Sequence, residues 1–245
     1  MNAFGKMTWI ELKLTLREPI GTFFTLIFPV MLLVLFGSIY GNEPNVSLDG
    51  HGQVDLSVPG YIGMIVGTVG MLSIPITLAT YREQGVLRRY RTTPVPSAVV
   101  LWSQVAVNVL MTLLGITLLI IVAGLFYDLH IPHATLAIVL AILLSAFSFF
   151  AVGFVLAGVM PTPRTAQAVG MALFYPMLFL SGAAMPRQIM PATIQRLADY
   201  LPLTHVVKLL EGLWFDGTWN RVSLTVILGL LVLGLVISRR TFRWE

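Results

Sequence analysis

Long apolar runs alternate with short polar joints along the whole chain. Six runs, near residues 20–40, 58–81, 98–126, 134–160, 166–185 and 222–238, are long enough to cross, or nearly cross, a hydrocarbon core that needs roughly 20 residues. The third and fourth exceed that length, which implies tilt or ends that project into water. The last is short, but Arg221 and Arg239 flank it and can reach outward to the interface. None of the six contains Asp, Glu, Lys or Arg.

The joints carry an uneven charge. Lys6, Lys13 and Arg17 precede the first run, and Arg82, Arg88, Arg89 and Arg91 follow the second. Arg164 follows the fourth, and Arg239, Arg240 and Arg243 follow the sixth. The joint at 41–57 holds Glu43, Asp49 and Asp55 with no basic residue, and the third-to-fourth joint holds only Asp128. The positive-inside bias then places both termini in the cytoplasm.

The joint at 186–221 faces outward and is patterned. Ile194, Leu197, Ala198 and Leu201 recur at helical spacing, as do Leu203, Val206, Val207 and Leu210, with Pro191 and Pro202 near each start. The spacing predicts two short amphipathic helices at, or dipping into, the outer leaflet. They either gate a path, through Ile194, Leu197, Leu201, Val206 and Leu210, or only seal the bundle. The expected fold is therefore all-α: a polytopic membrane protein with six transmembrane helices, an amphipathic N-terminal helix over 1–18 and two short outer-leaflet helices before the last span.

Composition agrees. The chain is 57% hydrophobic and 11% charged, against about 25% charged in a soluble domain. Cysteine is absent, which removes disulfides and thiolate metal sites. The net charge of +4 sits in the joints rather than on one folded face, so no nucleic-acid partner is expected. About twenty polar and amphipathic residues precede the first apolar run, so no cleavable signal peptide is expected.

The uncharged spans disfavour coupling to a proton or sodium gradient, which usually places ionisable groups inside the bilayer. His51, His130, His133 and His205 all fall outside the spans. His130-Ile131-Pro132-His133 is too sparse for a metal site beside a helix-breaking proline, and no metal is expected. The chain lacks a Gly-x-Ser-x-Gly turn, an HExxH helix and a phosphate loop, so any ATP hydrolysis belongs to a partner.

The densest basic cluster is Arg82-Glu83-Gln84-Gly85-Val86-Leu87-Arg88-Arg89-Tyr90-Arg91-Thr92-Thr93-Pro94, within a cytoplasmic joint at 82–97. This segment, with Tyr200-Leu201-Pro202-Leu203-Thr204 before the last span, resembles the permeases of the type-2 ABC transporter family. That group includes daunorubicin-resistance-like drug exporters and nodulation-type export permeases. The resemblance covers nearly the whole length and implies a single permease domain over 1–245. It also implies a second permease copy or close homologue, and two cytoplasmic ATPase subunits that bind the ATP and magnesium. No cofactor is expected in this chain, and the implied location is the inner (plasma) membrane.

In that setting Arg82, Glu83, Gly85, Arg88, Arg89 and Arg91 would form a coupling helix against the ATPase. The alternative is a basic anchor for lipid phosphates. Lys6, Lys13 and Arg17 share one stripe of an N-terminal helix, with Trp9, Leu12 and Leu16 beside it and Glu11 and Glu18 well away. Such a helix rests on anionic headgroups, and in the family it also touches the ATPase. Pro29, Pro75 and Pro176 are kink candidates inside spans. Gly60, Gly63, Gly67 and Gly70 form a small-residue ridge suited to close packing. The resemblance selects the first, second and fifth spans as the meeting face of two copies. Met64, Thr68, Met71, Phe174 and Met177 offer a soft surface to an amphiphilic cargo, or pack against lipid.

The functional expectation is a permease subunit for ATP-driven export of a hydrophobic or amphiphilic, drug-like compound. A lipid or lipid-linked glycan cargo is the alternative within the class, and a passive membrane scaffold is the alternative outside it.

Overall fold

The computed structural model describes residues 3–44, 50–86, 97–132, 134–184, 187 and 190–241. The described residues contain helices and no strand. Helix α1 is Ala3–Leu16. Helix α2 (residues 19–40) joins Pro19–Thr22, a π-helical turn Phe23–Ile27 and Phe28–Tyr40. Helix α3, Gln53–Glu83, joins Gln53–Thr68, a π-helical turn Val69–Ser73 and Ile74–Glu83. Then follow α4 (Ser97–Tyr127), α5 (Thr135–Val159), α6 (Pro163–Leu180), α7 (Ala192–Ala198), α8 (Pro202–Phe215) and α9 (Arg221–Thr241).

Five of these helices are long and apolar enough to cross a membrane: Phe23–Tyr40, Gln53–Glu83, Val99–Tyr127, Thr135–Val159 and Arg221–Arg240. The remaining run, expected at 166–185, is α6. It starts earlier on a polar turn containing Arg164, Thr165 and Gln167, capped by Thr162, whose hydroxyl accepts from the Thr165 amide. It ends at Leu180 because Gly182 turns the chain at φ 93°. Its 18 residues are therefore only partly apolar.

Helix α3 is the axis of the bundle, packed against α2, α4, α5, α6 and α8. It begins at Gln53, five residues before the expected span, and so draws Asp55 out of the joint at 41–57. Asp55 is only 5% exposed. Its Oδ1 accepts from Asn42 Nδ2 at 3.2 Å and from the His130 amide at 3.1 Å, and its Oδ2 lies 2.9 Å from His130 Nδ1. One carboxylate thus ties the start of α3 to the ends of α2 and α4, which satisfies its buried lone pairs.

Two of the helix prolines act with π turns. Pro29 and Pro75 each follow such a turn, in which the Phe28 amide reaches the Phe23 carbonyl and the Ile74 amide reaches the Val69 carbonyl. A proline cannot bond the carbonyl four residues back, so Thr25 and Met71 receive no such bond from Pro29 and Pro75. Glycines of neighbouring helices cover both. A Cβ on Gly115 would stand 2.9 Å from the Thr25 oxygen, and one on Gly170 would stand 2.6 Å from the Met71 oxygen. Gly153 likewise crosses at the Gly70 carbonyl, which the π turn releases. Close helix crossings therefore occur where the backbone is widened.

The glycine ridge of α3 serves the same packing. Gly60 meets Gly182, Gly63 meets Val207, Gly67 meets Phe174 and Gly70 meets Phe149, all within the protomer. The ridge suits close packing, and α5, α6, α8 and the turn after α6 occupy it.

Candidate functional site

The expected coupling segment begins on the last turn of α3. Arg82 was expected to face a partner, but its guanidinium turns inward. Nη1 donates to the Met160 carbonyl at 3.0 Å and Nη2 to the Ala157 carbonyl at 2.8 Å. These carbonyls close the C-terminus of α5, where backbone acceptors lack helical partners and the dipole favours a cation. Arg82 is thus a clamp between α3 and α5. Glu83 is exposed. Gly85 ends the helix at φ 68°, with its amide donating to the Arg82 carbonyl at 3.0 Å. Arg88, Arg89 and Arg91 lie outside the described residues.

Helix α1 packs on α4 beside this terminus. Lys6, Lys13 and Arg17 are exposed as the stripe implied, and Lys13 Nζ sits 5.0 Å from the centre of the Trp9 ring. Trp9 is itself 53% exposed, and Phe4, Ile10, Leu14 and Leu16 are also exposed. The face turned to the protein carries an acid: Glu11 is 2% exposed and accepts a hydrogen bond from the Tyr81 hydroxyl. Burial raises its pKa from the ordinary carboxylate value, partly opposed by the hydrogen bond from Tyr81. Sequence reading set Glu11 aside because it lay off the basic stripe. Its spacing opposite that stripe was the available signal.

Inside the bundle the cargo candidates Met64, Thr68, Met71, Phe174 and Met177 are all buried. None faces lipid. Thr68 lines a cavity between α2, α3 and α6. Phe174 fills the notch left by Gly67.

At the opposite end the gate candidates separate. Ile194 and Leu197 on α7 are exposed, at 36% and 62%, and Leu201 is half-buried. Val206 and Leu210 are fully buried because α8 inserts among α3, α5, α6 and α9. The five therefore do not form one apolar surface; the amphipathic face of α8 is covered by protein. Asp199 holds the two helices together, accepting from Arg187 Nη2 and Lys208 Nζ, each at 2.7 Å. Those two cations, led by the Lys208 hydrogen bond, lower the Asp199 pKa. His205 Nε2 is 3.0 Å from the Asp199 carbonyl, which can only accept, so that nitrogen bears the hydrogen and Nδ1 faces the Ser223 hydroxyl at 3.3 Å. Burial lowers the His205 pKa. Burial also pushes Glu211 up to about 7, against the pull of Arg187 and Lys208.

Comparison with known proteins agrees with this architecture. Residues 2–215 match the family described as ABC-2 type transporter. The chain is 25% identical to the putative transport permease YvfS of Bacillus subtilis (strain 168), over 98% of this chain and 96% of that protein. It is 27% identical to the putative transport permease ycf38 of Porphyra purpurea, over 92% and 79% of the two. It is 24% identical to the daunorubicin resistance ABC transporter permease protein DrrB1 of Streptomyces coeruleorubidus, over 96% and 84%. With its apolar helices arranged around α3, the chain belongs to the ABC-2 type transporter family and is a multi-pass membrane transport permease subunit.

Proposed function

We propose that this permease works with a cytoplasmic ABC ATPase, present in two copies that bind ATP and magnesium, to export a hydrophobic or amphiphilic, drug-like compound. In this reading both termini are cytoplasmic, the membrane is the inner (plasma) membrane and a second permease copy completes the path. The basic stripe of α1 also meets anionic lipid there. The resistance function named for DrrB1 favours a drug-like cargo over a lipid-linked glycan.

The observation that carries the reading is the junction at the end of α3. Exposed Glu83 and the exposed stripe of Lys6, Lys13 and Arg17 offer charge to a partner, while adjacent Tyr81 and Arg82 reach into the bundle. A push on this end passes through Arg82 to α5 and through Tyr81 to α1. Both contacts are charge-assisted hydrogen bonds and resist sliding. The gate role of α7 and α8 belongs to the same reading: opening would require α8 to leave its packed seat.

Reconstitution of the permease with its co-purifying ATPase in proteoliposomes tests this. ATP-dependent movement of a fluorescent anthracycline is expected, and Glu83→Lys should reduce it without reducing insertion. Movement of a lipid-linked glycan alone would reassign the cargo. ATP-independent behaviour with no associated ATPase would leave a passive scaffold.

A further inference from the structure

A cavity of about 150 Å³ lies between α2, α3 and α6 near the junction of α1 and α2. Its walls are aromatic and apolar at Phe24, Leu72, Met171 and Tyr175, with Thr25, Thr68 and Ser73 among them. The one formally charged group in this lining is Glu18.

Glu18 occupies the break between α1 and α2. Its amide donates to the Thr15 carbonyl and its own carbonyl accepts from the Thr22 amide, each at 3.1 Å, so its backbone is held from both sides. The carboxylate leans over Gly21, with Oε2 3.8 Å from the place where a Cβ would stand. Among the described residues no cation pairs with it. The aromatic walls are held too: Phe24 lies between Phe23 and Phe28 at centroid distances of 5.3 and 5.4 Å, and Tyr175 rests on Phe174 at 5.8 Å.

We propose that this cavity binds the cationic headgroup of an amphiphile, with Glu18 as counter-charge and the Phe24 and Tyr175 rings as walls. A quaternary or protonated amine gains a carboxylate and ring faces together, an arrangement that attracts cations and repels phosphate or sulfonate. The volume admits an ammonium group and about one ring, so the apolar remainder of the ligand extends beyond the cavity. Glu18 and Gln167 are exposed, which places the polar mouth at the surface, where a charged group enters without crossing the apolar core. The inference rests on the exporter reading only for calling the ligand cargo. It narrows that cargo to positively charged compounds.

The test is equilibrium dialysis of radiolabelled benzyltrimethylammonium against the full chain in neutral phosphatidylcholine nanodiscs, with empty nanodiscs as background. Saturable binding is expected in the unsubstituted protein. Affinity should fall at least tenfold in Glu18→Gln, and severalfold in Tyr175→Leu, while Glu18→Asp retains binding. Benzenesulfonate should not bind. Equal affinity in Glu18→Gln, saturable binding of benzenesulfonate, or no saturable binding of the cation would each overturn the site. Glu18 is exposed and, among the described residues, its side chain makes no hydrogen bond or ion pair, so the substitution leaves the fold intact; a matched thermal melt checks this. The assay contains no ATPase and no ATP, so its outcome is separate from that of the export experiment.

Discussion

The Tyr81 hydroxyl donates its hydrogen to the Glu11 carboxylate and so ties the first helix to the last turn of the third. The contact joins residues far apart in the chain, one on the face of α1 turned to the protein, the other one position before Arg82. Helix α1 is therefore fastened by its one buried acid and presents its cations and apolar side chains outward. That division lets a single helix face both the bundle and its surroundings.

Tyr81→Phe should loosen α1 without disturbing the bundle. Removing the donor from a buried acceptor costs about 1–3 kcal/mol. Faster hydrogen exchange confined to residues 3–16 is expected, with the exchange of α5 unchanged. Glu11→Gln retains a hydrogen-bonding side chain and should show a smaller effect.

Arg82→Ala should lower thermal stability as well as transport, because it exposes the α5 terminus rather than only a docking surface. Loss of two charge-assisted bonds is worth roughly 2–4 kcal/mol in a part-buried setting. Arg82→Lys cannot span both carbonyls with a fork and should recover less than half. A variant with unchanged melting temperature and lost ATPase binding would place Arg82 at the partner surface instead.

At Gly85 the backbone is the constraint, since no described residue lies within 4 Å of an added Cβ while φ is 68°. Gly85→Val should cost about 1–2 kcal/mol, whereas Gly85→Asn, which tolerates the left-handed region, should remain near the unsubstituted protein. Melting temperature and transport measured on the pair separate strain from contact.

Gly170→Ala should be destabilising by about 1–3 kcal/mol, because its Cβ would meet the Met71 carbonyl at 2.6 Å. Gly124→Ala has no neighbour within 4 Å among the described residues and serves as the control, expected to be neutral or slightly stabilising. Equal melting temperatures for the two variants would contradict the close crossing of α3 and α6.

Glu211 makes stability depend on pH. Its folded pKa of about 7 lies above the ordinary 4.5, so the folded state holds the proton more tightly than the unfolded one. The contribution is therefore complete below pH 4.5 and lost as pH rises through about 7. The span corresponds to an upper bound of roughly 3 kcal/mol. Glu211→Gln should flatten this slope, and its gain over the unsubstituted protein should be largest above pH 7. A melting temperature with the same pH slope in both proteins would exclude Glu211 as its source.

Spacing and composition alone determined the apolar runs, the cationic stripe of α1 and the two short helices near 192–215, while the motifs at 82–94 and 200–204 carried the family resemblance. These are local properties: periodicity is set by helix geometry, and a bilayer's thickness selects the length of a run. Only the tertiary structure decided which faces are covered. Arg82 read as a partner-facing cation because its capping acceptors, at Ala157 and Met160, lie far along the chain. Asp55 read as a joint residue because its partners Asn42 and His130 belong to other segments. Val206 and Leu210 read as leaflet-facing because an amphipathic helix shows which side is apolar but not whether lipid or protein covers it. The ridge from Gly60 to Gly70 has the same ambiguity, and Gly182, Val207, Phe174 and Phe149 resolved it within the protomer. Pattern sets what each helix must bury; the identity of what buries it depends on side chains brought together from distant parts of the chain.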